Sequence, residues 1–443
     1  MKKLLTLSVA ILASSLTNAA DLSTIYQQAA SNDAEIAAAR ATREASGYGV
    51  GAARGGLLPN ASLSYSITEI DSETSGVFAT GTPKTDVDSD YTQNQLQIQA
   101  SQALFNLNAW YTYKSAVAGD EAAALQLQLA EQQLLTRTAK AYFDVLRAQD
   151  NLSAAQAEEK AVKRSLEQTK QRFDVGLIAI TDVHEAQAGY DLSYVNLLGQ
   201  EANLDISYEA LEQLTGQRFD KVSPLRAEVA MEMPAPADVE SWVESGLAKY
   251  AGLQLAEANK DSVRLQRNAT RSNHLPTVSL TASYTDGDQA PRVDNKTLDN
   301  TTTAIGIQLS MPLLAGGANY SRTKQAAQNY AAAEYNLEGE RRSTKQNIRS
   351  LFRKVKTDVL NIKARKQAIV SAESALEATQ TGYKVGTRNI VEVLNAQRNL
   401  FQAQRDYANA RYDYIANLLN LKFYAGTLNE NDITVLNGWL AKG

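Results

Sequence analysis

Residues 172–183 read RFDVGLIAITDV, and residues 382–393 read GYKVGTRNIVEV, so a Val-Gly pair lies at the same place in both segments. The two glycines, Gly176 and Gly386, are 210 positions apart. The strand-like segments LLPNASL and HLPTVSL, which precede them, are 217 positions apart. The chain therefore contains two copies of one strand-and-helix unit, and this repetition predicts the architecture before any single residue does.

The composition restricts the class of protein. The first twenty residues carry Lys2 and Lys3, then an apolar stretch, then small residues, which predicts a secretory signal cleaved after Ala19 or Ala20. The absence of cysteine excludes disulfides, thiolate metal sites and a catalytic thiol. A net charge of −5 argues against a nucleic-acid partner. The chain is predicted to be exported.

Long helices are predicted on both sides of each Val-Gly pair. Residues 84–223 and 313–443 contain no proline, and their apolar residues recur at heptad spacing. This pattern predicts two antiparallel helical hairpins with tips at 175–181 and 385–391. The first outgoing helix, at roughly 108–173, would extend about 100 Å at 1.5 Å per residue.

Four segments alternate strictly between apolar and polar residues, which predicts β-strands. One explanation is a half-buried sheet in a soluble protein. The other is a membrane barrel shared by several chains, because four strands cannot close a barrel whose minimum is about eight. Three chains would supply twelve strands. The strands are predicted at about 60–70, 93–104, 277–286 and 302–311, with polar loops at 71–92 and 285–301.

The duplicated strand pair, long helix, Val-Gly turn and return helix resemble the TolC family of outer-membrane efflux and secretion ducts. The segments around Gly176 and Gly386 and the stretch Ala425–Asn429 carry the resemblance. It implies a mixed α-helical and β-barrel membrane protein. Three chains would form a twelve-stranded barrel in the outer membrane, continued by an antiparallel α-helical coiled-coil tunnel through the periplasm.

The resemblance also implies a function. The chain would be the outer-membrane channel of a tripartite efflux pump, of a type I secretion system, or of both, exporting small molecules or proteins. The implied partners are two further copies of the chain, outer-membrane lipid, a periplasmic adaptor protein and an inner-membrane pump of the RND, ABC or MFS type. The expected location is the outer membrane of a Gram-negative cell, with an extension into the periplasm.

The repeat predicts the boundaries along the chain. Residues 1–20 are the signal peptide, and 21–223 form the first structural repeat. Residues 224–238, which are rich in proline, form a linker or equatorial segment. The second repeat covers 239–426, and 427–443 form a C-terminal equatorial segment.

A gate is predicted near the hairpin tips. The resemblance implies that bonds between the hairpins hold the periplasmic mouth shut, and the matching positions are Thr181 and Asp182 on one hairpin and Tyr383 and Arg388 on the other. An Arg side chain can bond to a carboxylate or hydroxyl oxygen, and each link would contribute only about 1 kcal/mol. The alternative is that Thr181 or Asp182 simply caps the return helix.

Two further sets of residues follow from the resemblance. Glu392 and Asn395 match the positions that line the constriction, where the family pattern has two carboxylates. Rings of three Glu and three Asn would give a weaker cation preference than two carboxylate rings. The expected contacts for the adaptor are Val175, Gly176, Leu177, Val385, Gly386 and Thr387.

No sequence pattern for catalysis is found. The chain has no HExxH, nucleophile elbow or phosphate loop, and His184 and His274 are interpreted as solvated polar residues. We therefore expect no enzyme activity, no cofactor and no metal site. A non-conducting periplasmic coiled-coil tether is the main alternative function; it would explain the helices but not the alternating strands.

Overall fold

The computed structural model describes residues 19–76, 85–292 and 296–441. Almost all of the predicted signal peptide, residues 1–20, lies outside the described residues, as do the tips of both strand hairpins. In the described part of the chain, no helix combines the length and the apolar character that crossing a membrane requires.

Six elements occur in the same order twice: two helices, two strands, one very long helix and one return helix. A short helix ends the chain. This order confirms the internal repeat. The helices are α1 (Leu22–Asn32), α2 (Ala34–Gly55), α3 (Leu107–Asp174), α4 (Ile180–Thr215), α5 (Val239–Lys249), α6 (Ala251–Ser272), α7 (Ala318–Lys384), α8 (Ile390–Tyr424) and α9 (Glu430–Asn437), and the strands are β1 (Asn60–Gly76), β2 (Thr85–Phe105), β3 (Thr277–Arg292) and β4 (Lys296–Ser310).

The repeat extends to the backbone angles of single residues. Asp33 separates α1 from α2 with φ −65° and ψ 121°, and Tyr250 separates α5 from α6 with φ −65° and ψ 118°. These two residues are 217 positions apart, the same distance that separates the matching strand segments. Each half therefore begins with two helices divided at an equivalent extended residue.

The chain forms two compact units. We call the first the hairpin unit, which comprises Met1–Arg40, Gln126–Gln254 and Glu340–Gly443. The second is the sheet unit, which comprises Ala41–Leu125 and Leu255–Gly339. Both units take residues from both sequence repeats, so each unit is built by a pair of related segments.

The sheet unit contains one antiparallel sheet in the order β1-β2-β3-β4. Each strand extends beyond its predicted end on the side nearest the hairpin tip, and much of the predicted loops 71–92 and 285–301 is strand. The prediction of these loops was wrong because it used apolar alternation. Backbone pairing in an antiparallel hairpin continues through polar Ser, Thr and Asp residues as well. Here β1 pairs with β2 from Asn60 opposite Ser101 to Gly76 opposite Thr85.

The register places the predicted apolar residues of all four strands on one face. Leu63 pairs with Ile98, and Ile98 pairs with Tyr284. In the β3–β4 pair, on the same face of the sheet, Leu280 pairs with Ile307. Side chains two positions apart in a strand share a face, so these pairs define the whole apolar face. The apolar side chains on the edge strands are exposed: Leu63 is 68% exposed and Ile307 71%.

The hairpin unit is built on the two helical hairpins α3–α4 and α7–α8. Helix α3 was predicted at about 108–173, and its 68 residues would extend about 100 Å. Heptad positions form its core: Leu134, Val145 and Ala155 of α3 are at most 2% exposed. The same holds for Ile348 and Val355 of α7, both 0% exposed. Burial of this apolar seam holds the helices together, since helices of this composition gain most of their stability from packing.

Helix α8 lies between α3 and α7. Polar pairs join it to each neighbour, and they fix how far along the helix axis each pair of helices is shifted, because only one alignment brings the partners together. The α3–α8 pairs are Glu158–Arg405 at 2.7 Å and Arg147–Asp413 at 2.7 Å, and the α7–α8 pairs are Asp358–Asn417 at 2.8 Å and Arg365–Asp406 at 2.7 Å.

A substitution in the turn after α8 can test how closely this turn packs against the end of α5. Gly426 has φ 66°, and an added Cβ would lie 2.5 Å from the carbonyl carbon of Lys249. We expect Gly426→Ala to destabilise the protein by about 3 kcal/mol, because a left-handed backbone and a backbone clash both add cost. Gly216→Ala is the matched control, since Gly216 has φ 68° but its nearest neighbour would be 3.8 Å away. Denaturant unfolding measures both, and equal losses would contradict the packing argument.

Candidate gate at the hairpin tips

Both hairpin tips close by the same hydrogen-bond pattern. In the first tip Leu177 N–H donates to Arg172 O at 2.9 Å and Gly176 N–H donates to Phe173 O at 2.8 Å. The second tip repeats both bonds, with donors Thr387 and Gly386. Such paired bonds form a Schellman motif, which needs a residue with positive φ. Gly176 has φ 74° and Gly386 has φ 80°, which explains why both repeats have glycine there.

The two tips differ where the return helices begin. Helix α4 starts after Ala179, which makes no side-chain capping bond. Helix α8 starts after Asn389, whose side chain accepts a bond from Glu392 N–H, and the Glu392 side chain accepts from Asn389 N–H. Neither Thr181 nor Asp182 occupies the N-cap position of α4. The capping alternative for these two residues is therefore wrong, because α4 begins at Ile180 and both lie within its first turn.

An apolar cluster joins the two hairpins next to their tips. We call it the tip cluster. Tyr190 and Tyr383 pack against its edge, and Gly189 allows α4 to approach α8 so closely that an added Cβ would lie 3.1 Å from Leu394 Cδ1. The close approach packs the start of α8 against the first turns of α4. The buried members of the tip cluster are Val162, Leu166, Ala186, Ile390, Val393 and Leu394.

A direct link between the hairpins lies beside the tip cluster. The Arg172 guanidinium donates to Tyr383 O at 3.3 Å, and its carbon lies 4.6 Å from the centre of the Tyr383 ring. A cation over an aromatic face contributes about 0.5–1 kcal/mol at such sites. Sequence analysis missed Arg172. One sequence feature could have indicated it: the second repeat has Gly382 at the position that corresponds to Arg172, so the arginine belongs to one hairpin only.

Gly382 has a separate role in the second tip. An added Cβ at this position would lie 2.6 Å from Arg388 Cγ, so glycine leaves the space that the Arg388 side chain occupies. In this position the Arg388 guanidinium pairs with the carboxylate of Glu392, four residues later, at an N–O distance of 2.5 Å. A spacing of four residues favours this pair.

The predicted gate residues are not joined across the hairpins by any bond among the described residues. Arg388 binds Glu392 of the helix that directly follows it, and among the contacts of the described residues neither Thr181 nor Asp182 bonds to Tyr383 or Arg388. The Tyr383 hydroxyl is buried and has no hydrogen-bond partner within the described chain. A buried hydroxyl without an acceptor is costly. The gating role of Thr181, Asp182, Tyr383 and Arg388 stays a prediction.

The charge state of Glu392 follows from its partners. The hydrogen bond from Arg388 lowers the pKa of Glu392 below its ordinary value of 4.5, and the bond from Asn389 N–H lowers it further. A lowered carboxylate pKa stabilises the folded form above the unfolded value, and this contribution is lost as the pH falls through the folded value. The Arg388–Glu392 pair is therefore intact at neutral and mildly acidic pH.

Glu392 and Asn395, the predicted constriction residues, line one groove between α7 and α8. Its volume is about 520 Å³, and Ser371, Thr379 and Asn399 supply further polar atoms. The structure thus brings the two residues to the same surface. Their role in a constriction stays a prediction.

A second groove, of about 700 Å³, lies between α3 and the α7–α8 hairpin next to the tips. Arg164, Arg172 and Lys384 give it a basic character, while Val393 and Ile390 form part of its apolar lining. The predicted adaptor contacts are exposed beside it: Val175 is 70%, Leu177 67% and Val385 71% exposed. No group of carboxylate and imidazole side chains suited to a metal ion occurs in the described ranges.

Known proteins resemble this chain over most of its length. The family model described as outer membrane efflux protein matches residues 25–217 and 242–427. The outer membrane protein TolC of Vibrio cholerae is 37% identical over 453 residues, covering 99% of both chains. The alkaline protease secretion protein AprF of Pseudomonas aeruginosa is 28% identical over 413 residues, covering 93% of this chain and 85% of that protein. The crystal structure of the CmeC outer membrane channel of Campylobacter jejuni has a TM-score of 0.79 at 18% identity, covering 95% of this chain and 90% of that one.

The difference in capping between the two tips can be tested directly. We expect Asn389→Ala to destabilise the first turn of α8 by about 1 kcal/mol, because the capping bond is lost. Ala179→Asn should have the opposite effect on α4, since it adds the cap that the first repeat lacks. Hydrogen–deuterium exchange of peptides from both tips measures the changes: faster exchange in α8, slower exchange in α4. Unchanged exchange at both tips would contradict the capping assignments.

Proposed function

Because this chain belongs to the outer membrane efflux protein family, we propose that three copies form one duct whose periplasmic mouth is gated at the hairpin tips. The chain is an outer-membrane channel for efflux and type I secretion, located in the outer membrane and extending into the periplasm. Channels of its family work with efflux pumps. The proposal concerns the number of copies, the gate, and the adaptor and pump; it includes no catalytic activity.

The two open edges of the sheet carry the proposal of a shared barrel. The sheet ends in β1 on one side and β4 on the other, and neither has a second partner within the described chain. An open edge leaves a row of unpaired backbone groups, which inside a membrane must be satisfied. Pairing β1 of one copy with β4 of the next satisfies both edges, and three copies reach the size of a membrane barrel.

The exposed apolar face of the sheet supports outer-membrane lipid as its surroundings. Tyr65 and Ile67 of β1 are 62% and 66% exposed, and Ile305 and Leu309 of β4 are 76% and 68% exposed. Alternation of apolar and polar residues gives a barrel one lipid face and one wet face. A non-conducting coiled-coil tether in the periplasm would leave this apolar face exposed to water, which argues against this alternative.

We propose that the gate uses Arg388 and Tyr383 of the second hairpin and Thr181 and Asp182 of the first. The Arg388 side chain is 59% exposed, so it can donate to Thr181 or Asp182 of a neighbouring copy. The Tyr383 hydroxyl is buried within one chain and lacks a partner among its described contacts, so its proposed partners are Thr181 and Asp182 of the same chain. Such bonds would close the mouth, and each is weak enough for a partner protein to break.

We propose that the periplasmic adaptor binds at the basic groove and the exposed tip residues. The groove combines positive charge with apolar lining, and Val175, Leu177 and Val385 beside it are exposed. Small exposed apolar side chains at a glycine turn allow another helix to approach closely. An inner-membrane pump of the RND, ABC or MFS type would then act through this adaptor.

Single-channel conductance in a planar bilayer tests the duct and the gate together. Wild-type protein should give a small conductance. We expect Arg388→Ala and Tyr383→Phe to raise it several-fold, because each removes a side-chain group that holds the mouth closed. Arg398→Ala is the matched control, since Arg398 is an exposed arginine of α8 that lies further from the tip.

Each outcome has a distinct meaning. A pore that the control and the two tip variants leave unchanged would keep the duct and refute the gate at these residues. Absence of conductance from protein that is correctly trimeric would refute the duct and favour the tether.

A further inference from the structure

Helices α4 and α7 are the outer two of the four hairpin helices, and α1 and α5 cover them only near the ends remote from the tips. Helix α3 has α4 on one side, in the first hairpin, and α8 on the other, bonded through Glu158–Arg405. Helix α8 in turn binds α7 through Arg365–Asp406. No hydrogen bond or ion pair joins α4 to α7 in the part of the chain that is described. A ring of copies must therefore place α4 of one copy against α7 of the next.

The charges of these two edges are opposite. Helix α4 contains seven acidic residues and no Lys or Arg. Between residues 341 and 366, helix α7 contains ten basic residues and one acidic residue. The whole chain has nearly equal numbers of acidic and basic residues, with a net charge of −5. The concentration of one sign on each of these two helices is therefore a local feature.

The acidic residues of α4 form one exposed face. Glu201, Asp205 and Glu209 are spaced four apart, all three are exposed, and none makes an ion pair among the described residues. Residues at this spacing are neighbours on a helix surface. Apolar side chains lie beside them: Leu198 is 47% and Ile206 is 62% exposed. We call this surface the acidic edge.

The basic residues of α7 form a matching face. Arg353, Lys356 and Lys363 are exposed, are spaced three and seven apart, and have no ion-pair partner within the described residues. Leu360, between Lys356 and Lys363, is 53% exposed. Each edge therefore combines apolar side chains with charges of a single sign. We call this surface the basic edge.

The two edges lie at similar distances along their helices from the tips. Lys363 precedes the end of α7 at Lys384 by the same number of positions by which Glu201 follows the start of α4 at Ile180. Both helices rise about 1.5 Å per residue, so each of these two residues lies about 30 Å along its helix from the tip of its own hairpin. Lys356 and Glu209 are matched in the same way to within a single position.

We propose that the acidic edge of α4 binds the basic edge of α7 of a second copy, and that this charge pairing sets the register of the ring and excludes misaligned copies. The inference rests on the proposed function, since it needs several copies in one duct. Unpaired charges of opposite sign at similar distances from the tips attract, whereas two acidic or two basic edges repel. The contact is therefore head-to-tail, the type that closes rings.

Charge reversal tests the interface on the full-length protein in detergent. We expect the triple variants Glu201→Lys/Asp205→Lys/Glu209→Lys and Arg353→Glu/Lys356→Glu/Lys363→Glu each to lower the trimer-to-monomer ratio at least about tenfold at low salt. The combined six-residue variant should restore the trimer, because both edges are reversed together. The matched control is Glu131→Lys/Glu159→Lys/Glu167→Lys on α3, a helix with a neighbour on each side within the chain. Native mass spectrometry measures the ratio.

A mixing experiment makes the test specific. Wild-type and six-residue-variant chains are produced together with different tags, and each is captured separately. We expect homotrimers of each and few mixed trimers, since every mixed contact joins like charges. Free mixing would overturn the proposal, and so would triple variants that stay as trimeric as wild type at every salt concentration.

Folding and function are controlled separately. Should a triple Lys variant lose its helical circular dichroism, the neutral variant Glu201→Gln/Asp205→Asn/Glu209→Gln replaces it and should weaken the trimer to a smaller extent. Wild-type protein that is monomeric would refute the proposed trimeric duct itself. Wild-type protein that is trimeric and conducts, with charge variants that behave like it, would refute the charge-paired interface alone.

Discussion

The tip cluster is the interaction on which the rest of the hairpin unit depends. It packs α3 and α4 against α8 at the free ends of two very long hairpins, where no other element of the described chain holds them. Burial of each large aliphatic side chain contributes about 1.5–3 kcal/mol, whereas a polar link such as Arg172–Tyr383 contributes about 1 kcal/mol. The cluster therefore fixes the positions of the tips. The polar links can be changed without unfolding the hairpins.

The two repeats share their backbone and differ in the side chains that act at the tips. Both tips close by the same Schellman bonds around Gly176 and Gly386. The first tip supplies Arg172 and leaves its return helix uncapped, while the second supplies Tyr383 and caps its return helix through Asn389. The two hairpins therefore share the backbone of the turn and differ in the contacts that they make at the tips.

Structural features that depend on neighbouring residues in the chain were predictable from the sequence, whereas contacts between distant segments were not. Helix α3 was predicted to within one residue at each end, because freedom from proline and the heptad pattern are properties of the segment itself. Strand ends were missed because backbone pairing continues through polar residues. The Arg388–Glu392 pair follows from a spacing of four and was accessible from sequence. The Arg172–Tyr383 contact was not, since it depends on how two helices 211 residues apart in the chain are rotated toward each other.

The separation of charge onto two edges would fix the axial alignment of neighbouring copies, which apolar packing of the helices does not fix. Helices of this length have many positions at which apolar stripes could pair, because a heptad pattern repeats along its length. A shift by one heptad keeps apolar side chains in contact but moves charges by about 10 Å, which is the screening length at 0.1 M salt. Apolar contact between copies therefore contributes attraction but does not select one axial alignment. Unpaired acidic residues on α4 and basic residues on α7, at similar distances along their helices from the tips, would select the alignment that a closed ring needs.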